Sequence, residues 1–324
     1  MSLNDKTILI TGGHGFLGRH VCKTLKQRGL EIKTTIDSAP SKNSAYIFRS
    51  SSFDLCRQDQ IQQLLKLKPD IIIHLAAVVG GIGINSQKPG TFYYKNLMMG
   101  AMLMEEARLA QVEKVVQIST VCSYPVNTPV PFKESDLWNG FPEITNSAYG
   151  IAKKNMLVQS QAYRKEFGFN SIHLIPVNLY GPYDNFDPDT SHVIPALIKK
   201  CIHARNNKLD HITCWGTGNA TREFLYVEDA AEAIILATER YNLSDPVNIG
   251  SGKEISIHSL IQLIADLTNF KGEILFDKTK PDGQPRRCLD TTKAKERFGF
   301  EAKTSFMDGL RNTINWYEEH TCQK

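Results

Sequence analysis

Tyr149 and Lys153 stand four residues apart in SAYGIAKK, on one face of one turn if the segment is helical. An ammonium held that close favours the phenolate, so the spacing predicts a tyrosine whose pKa is drawn toward neutrality. Such a phenol can give a proton to a carbonyl/alcohol pair or take one from it. Thr120 closes the apolar run EKVVQIST, where its hydroxyl is suited to hydrogen-bond the same oxygen. Cys122 follows two residues later in ISTVCSYP, at the kind of strand end where α/β enzymes do their chemistry. A YxxxK spacing alone is common on surfaces, and free cysteines are usually small hydrophobes that fill space. The neighbouring glycine turn is what shifts the balance toward chemistry.

That turn is TGGHGFLG, which places Gly12, Gly15 and Gly18 after a strand and carries Phe16 and Leu17 into a helix. Gly12 allows the tight turn, Gly15 lets backbone approach a pyrophosphate, and Gly18 lets helix and strand pack closely. The free N–H groups and the positive dipole end of the helix then face phosphate. Asp37 ends the next strand, EIKTTID, where a carboxylate accepts hydrogen bonds from ribose hydroxyls and repels a 2′-phosphate. That favours NAD. Lys42 and Arg49 lie nearby as partners for a phosphate, so NAD and NADP both stay open.

The elements that must position these residues alternate strictly. KTILIT, EIKTTID, DIIIHLAA, EKVVQIST and SIHLIPVNLYG read as strands, with helices in the glycine turn, DQIQQLLKLK, LMMGAMLMEEARLAQ and SAYGIAKKNMLVQSQAYRKEFG. Strands alternating with helices over about 180 residues predict a Rossmann-type, doubly wound parallel sheet with right-handed crossovers. After YGP the rhythm breaks in YDNFDPDTSH, then VIPALIKKCIHAR reads as a helix and EFLYVEDAAEAIILATERY as a strand and helix returning to the sheet. The expected division is residues 1–180 and about 223–246 for the dinucleotide-binding domain. Residues 181–222 and 247–324 form a smaller interleaved α/β lobe for substrate.

Bulk properties narrow the class. The 324 residues carry 38 Lys plus Arg against 34 Asp plus Glu, a net +4 with no long block of one sign, which argues against nucleic acid. Seven cysteines form no CxxC pair and no metal-ligand spacing, so neither a disulfide framework nor a metal site is expected, and a reducing, cytoplasmic location is. No apolar run reaches the roughly 18 residues of a membrane helix, and no secretory leader precedes the first strand.

On TGGHGFLG, the STVCSYP strand end, YGIAK and REFLYVEDAA, the chain resembles the extended short-chain dehydrogenase/reductases that act on nucleotide sugars. AAVVGGIG, VNLYGPYDNFDPDTSHVIPAL and WGTGNATREFLYVEDAA are more specific, and look like the GDP-L-fucose synthase family of GDP-4-keto-6-deoxymannose 3,5-epimerase-4-reductases. The resemblance implies NADPH as cofactor, a GDP-keto-sugar substrate and a homodimer. It also implies that Cys122 and His192 are the acid/base pair of epimerisation. The chemistry is consistent: in a 4-keto sugar the C3 and C5 hydrogens are both α to the carbonyl, and inversion needs a base and an acid that titrate near neutrality. By the same resemblance Asn178, Lys200, Trp215 and Arg222 fall at substrate-contacting positions, and Arg286 and Arg287 in PRRCLD are phosphate candidates.

The chain departs from that family in three places. Lys200 stands where many members have arginine, His14 stands in the turn where an arginine can assist NADPH, and Thr120 replaces serine. Asp37 therefore keeps a rival alive, an NAD-dependent 4-epimerase or a C3-epimerase/C4-reductase on a related GDP-keto-hexose or -heptose. A dinucleotide-binding sensor without catalysis is the non-enzymatic alternative, and it would need none of Thr120, Cys122, Tyr149, Lys153 and His192.

Overall fold

A computed structural model describes residues 2–34, 41–280 and 282–321. Asp37 lies outside the described residues. In chain order the first half runs β1 (Thr7–Thr11), α1 (Phe16–Gln27), β2 (Glu31–Lys33), β3 (Ser44–Ile47), α2 (Gln58–Leu65) and β4 (Ile71–His74). It continues through α3 (Ile82–Gln87), α4 (Pro89–Leu109), β5 (Lys114–Ile118), α5 (Ser147–Phe167), β6 (Ser171–Pro176) and β7 (Asn178–Tyr180). The second half runs α6 (Val193–Asn206), β8 (His211–Trp215), β9 (Thr221–Tyr226), α7 (Val227–Arg240) and β10 (Val247–Ile249). It ends with β11 (Glu254–Ser256), α8 (Ile257–Leu267), β12 (Glu273–Asp277), α9 (Thr292–Phe298) and α10 (Phe306–Thr321).

Seven strands form one parallel sheet in the order β10-β6-β5-β4-β1-β3-β2. The sheet is buried on both faces because its strands are apolar on both: Ile8, Leu9 and Ile10 are all fully buried, as are Ile71, Ile72 and Ile73. One face packs on α1 and α7, the other on α2 and α4. Each such side chain contributes about 1.5–3 kcal/mol of burial, so the sheet is the rigid frame on which strand ends can be placed. The doubly wound parallel sheet is as the sequence leads one to expect.

Three details differ from that reading. Ser44–Ile47 is a strand inserted between β1 and β2, where the sequence analysis has none. SIHLIPVNLYG is two strands, since β6 stays in the main sheet while β7 pairs with β9. EFLYV does not return to the main sheet: β9 sits between β7 and antiparallel β11 in a separate three-stranded sheet. The strand that does return is β10, through residue 249, so residues 247–249 belong to the main sheet rather than to the lobe. The lobe has its own core, in which Ile194, Leu197 and Ile198 of α6 meet Leu260, Ile261 and Ile264 of α8 and Leu310 of α10.

Candidate active site

The glycine turn joins the carboxyl end of β1 to α1. Gly12 has φ +73°, and a Cβ there would stand 2.7 Å from the Ala76 nitrogen. A Cβ on Gly18 would meet the Gly12 carbonyl and stand 2.6 Å from the Gly13 Cα, so helix and turn touch only because both are glycine. Gly15 caps α1 with extended backbone, its own N–H donating to the Gly12 carbonyl at 2.9 Å, and no side chain caps the first N–H groups of the helix. This cradle fits a pyrophosphate. Positive charge gathers beside it: the Arg19 Nε donates to the His14 carbonyl at 3.1 Å. The His14 imidazole is held below its usual range by burial, then by Arg49, then by Arg19. Lys42 is turned elsewhere, onto Asp70 at 2.8 Å.

Past the end of β5, Thr120 caps a short 3-10 turn, Val121–Ser123, by accepting the Cys122 N–H at 3.2 Å. This turn presents Cys122, and α5 is brought against it by a missing side chain. A Cβ on Gly150 would stand 2.9 Å from the Cys122 carbonyl carbon, and the Ser123 hydroxyl donates to the Gly150 carbonyl at 3.1 Å. Tyr149, one residue earlier, hydrogen-bonds Thr120 and lies close enough to Cys122 to feel its charge.

The electrostatics of Tyr149 correct the sequence expectation. Burial comes first and the neighbouring Cys122 second, and together they hold the phenol well above its ordinary range despite the Thr120 hydrogen bond. Lys153 does not draw it down. Its Nζ donates to the Ile118 carbonyl at 3.1 Å, and burial lowers the ammonium to about 8. Tyr149 is therefore poised as a proton donor, with Lys153 anchored to the end of β5 beside it.

Arg287 completes this corner. It is 7% exposed, and its Nη1 lies 3.6 Å from the Cys122 sulfur while its Nε donates to the Gln284 amide oxygen at 3.2 Å. Arg222 on β9 donates to the carbonyls of Thr221 at 2.7 Å and Asp282 at 2.9 Å. Burial, followed by the charge of Arg287, lowers the Arg222 guanidinium to about 10, and Cys122 is among the charges it senses. Their partners are backbone carbonyls, an amide oxygen and the sulfur, with no carboxylate in ion-pair reach among the described residues. Two buried, unpaired guanidinium groups side by side are costly without an anion to face. The site thus calls for an anion such as a phosphate.

The remaining candidates divide. Trp215 ends β8, 55% exposed, with the Lys280 ammonium 5.5 Å over its ring. The loop after it is tied to Arg222 through Asp282, whose carboxylate accepts from the Thr217 N–H at 2.8 Å and hydroxyl at 2.7 Å. Lys200 reaches across from α6 to the Thr213 carbonyl at 2.8 Å, two residues from Trp215. Asn178 donates to the Glu223 carbonyl at 3.1 Å. Arg286 points away from this group, exposed and paired with Glu254. Of the two adjacent arginines it is Arg287, not Arg286, that faces the sulfur.

His192 caps α6 with extended backbone. Its side chain reaches solvent, yet the protein crowding its other sides depresses its pKa. The segment before it is fixed by the Gly81 N–H, which donates to the Thr190 carbonyl at 3.1 Å. A Cβ on neighbouring Gly80 would stand 3.6 Å from the Phe92 ring, which meets Tyr149 edge-on at 6.5 Å. The backbone that leads into His192 thus lies against the glycine pair, which borders the Phe92 ring.

Comparison with known proteins agrees with this geometry. The family model described as the NAD dependent epimerase/dehydratase family matches residues 8–250. A GDP-L-fucose synthase of Sinorhizobium fredii is 38% identical over 309 residues, covering 95% of this chain and 94% of its own. A GDP-6-OMe-4-keto-L-xylo-heptose reductase from C. jejuni superposes with a TM-score of 0.89 at 25% identity, covering 99% of each chain. A GDP-L-fucose synthetase from Naegleria fowleri bound to NADP superposes with a TM-score of 0.86 at 28% identity, over 100% of this chain and 98% of that one. With the glycine cradle, the strand-end hydroxyl and the tyrosine–lysine helix all in place, this chain belongs to the NAD dependent epimerase/dehydratase family.

Proposed function

We propose that this chain is an epimerase-reductase of a GDP-4-keto-6-deoxy sugar that inverts C3 and C5 and reduces C4. The observation that carries the reading is the Cys122 sulfur, set against the buried guanidinium of Arg287 and beside the Tyr149–Thr120 pair. A pure 4-reductase needs the phenol and the hydroxyl but no thiol held by a cation. In the proposed reaction Tyr149 and Thr120 hold the C4 oxygen, and charge that develops there on enolisation is met by their O–H groups. Cys122 and His192 exchange protons at the carbons on either side, with the Arg287 guanidinium 3.6 Å from the sulfur. Tyr149, kept protonated by its burial, then gives its proton to the C4 oxygen. The nicotinamide, when bound, supplies the hydride for that carbon. Arg222 grips the diphosphate, with Lys200 and Trp215 toward the nucleotide.

For the cofactor we propose NADPH. The support is the basic group of Arg19, His14 and Arg49 at the glycine turn, which suits a 2′-phosphate. Arg49→Ala is expected to raise the KM for NADPH at least tenfold and leave that for NADH within about twofold. The reverse result would assign NAD.

The decisive experiment is turnover of GDP-4-keto-6-deoxymannose in D₂O. Wild type should place deuterium at both C3 and C5 and consume NADPH, while Cys122→Ser should suppress the labelling and keep some C4 reduction. Unchanged labelling in the variant would return the thiol to packing. Redox-neutral isomerisation would indicate a 4-epimerase, and binding without turnover a sensor. The likeness to a heptose reductase favours one further reading, a C3-epimerase/C4-reductase on a GDP-keto-heptose. It would show as deuterium at C3 alone with a heptose substrate.

Two copies would pair through α4 and α5, whose outer faces expose Tyr94, Leu109, Val158 and Phe167. A monomer by light scattering would end that proposal. No helix among the described residues is long and apolar enough to cross a membrane. A cytoplasmic, reducing setting follows from the assigned role of Cys122, which needs a free thiol.

A further inference from the structure

Four polar side chains lie in one row across the centre of the main sheet. Register pairs Thr11 with His74, His74 with Gln117 and Gln117 with His173, so strands β1, β4, β5 and β6 each contribute one. Residues opposite one another on neighbouring parallel strands point to the same face, here the face covered by α4, and the row spans roughly 14 Å. All four are essentially inaccessible to solvent. The Thr11 hydroxyl meets the His74 Nδ1 at 2.7 Å, and the Gln117 amide reaches only the Met104 sulfur at 3.7 Å. The His74 Nε2, the Gln117 Oε1 and both ring nitrogens of His173 have no protein partner among the described residues. Four unmatched polar atoms in one line are not a random defect, because buried groups of this kind are nearly always paired with protein or with water.

Lys153 stands over this row. Its Nζ is fixed at the Ile118 carbonyl, next to Gln117, and its charge is felt by the rings of both His74 and His173. After burial, that charge is the second reason both imidazoles are held near 3, so both are neutral at pH 7. A neutral imidazole has one N–H and one bare nitrogen, and it passes a proton by accepting on one side and releasing on the other. At the end of the row the buried Thr11 hydroxyl also accepts the N–H of Ala76, itself half-buried, at 3.2 Å.

We propose that Thr11, His74, Gln117 and His173 hold a file of internal water beneath Lys153 that returns a proton to it after each turnover. The inference rests on the reductase reading above. Tyr149 loses its proton to the C4 oxygen, Lys153 restores it, and the lysine amine takes its replacement from water in the file. One proton enters from solvent for each one delivered, and no redox partner is involved. His74, Gln117 and His173 are positioning residues, since none touches substrate.

The test uses the full-length chain with NADPH and GDP-4-keto-6-deoxymannose. His173→Leu should lower steady-state kcat about tenfold, with KM and the first-turnover rate of NADPH oxidation within about twofold. The solvent deuterium isotope effect on kcat should rise. His173→Gln, which keeps a donor and an acceptor, should restore at least half the rate, an outcome that a purely structural role would not produce. Wild-type kcat in the leucine variant would overturn the relay. So would a high-resolution crystal map with no water in hydrogen-bond reach of the His74 Nε2 or of His173. A wild type that never oxidises NADPH with this sugar would instead sink the functional reading, and the map alone would then decide the water file.

Discussion

The guanidinium of Arg287 lies 3.6 Å from the sulfur of Cys122, although the two are 165 residues apart in the chain. A hydrogen bond from a charged donor contributes about 1.5–3 kcal/mol. Arg287→Met keeps the stem and removes the charge. It is expected to slow deuterium exchange at the sugar carbons roughly 10- to 100-fold, the same energy expressed as a rate. Exchange at the wild-type rate in the variant would show that the arginine serves phosphate alone.

Lys153 is lowered by burial to about 8, and the Tyr149 phenol is raised above its usual range. Lys153 is therefore charged below about pH 8 and loses its proton above it, whereas the phenol keeps its own throughout. Reduction at C4 should fall as pH rises through about 8, with no rise that tracks ionisation of the tyrosine. A kcat profile for NADPH oxidation between pH 6 and 10 measures this. A midpoint near the ordinary lysine value would mean that burial does not control the group.

His74 and His173 are held near 3 against an ordinary value of 6.5, chiefly by burial. The unfolded chain therefore binds more protons than the native one below about pH 6.5. Stability is fully present above that pH and is lost as pH falls toward about 3, by on the order of 1 kcal/mol per pH unit for each histidine. Urea midpoints at pH 7 and pH 5 should differ in the wild type. The difference should shrink in a His74→Gln, His173→Gln double variant.

Gly150 lets α5 touch the Cys122 turn, and an added methyl there has nowhere to go. Gly150→Ala must push Tyr149 and Cys122 apart, so it should cut both exchange and reduction tenfold or more, at about 1–3 kcal/mol in stability. Gly90, in the first turn of α4, has open space around it. Gly90→Ala should leave activity unchanged and is the control. Equal behaviour of the two alanine variants would mean that the helix–turn contact does not set the site.

Much of this was legible in the chain, and what was not depends on distant contacts. The i, i+4 relation of Tyr149 and Lys153 is fixed by helix geometry, but the state of the phenol is set by burial, which spacing does not report. The strand at Ser44–Ile47 is hidden because its run is short and begins with serine. That hydroxyl is satisfied in place by the Ser41 hydroxyl at 2.9 Å. SIHLIPVNLYG reads as one apolar strand because nothing in it marks where the chain changes sheets. Arg286 and Arg287 are indistinguishable in sequence. They are told apart by β9, since the Glu223 N–H donates to the Arg287 carbonyl at 3.0 Å and so fixes which side chain turns inward.

The Glu223 carboxylate also accepts the N–H groups of Gly252 at 2.7 Å and Leu289 at 2.6 Å, stitching the segment that carries Arg287 onto a strand made much earlier. During synthesis the glycine cradle, the sulfur and the phenol all leave the ribosome well before that stitch can close. A half-made chain therefore owns its acid/base thiol without the guanidinium that stands against it. The corner around the sulfur is completed by one of the last parts of the polypeptide to be born.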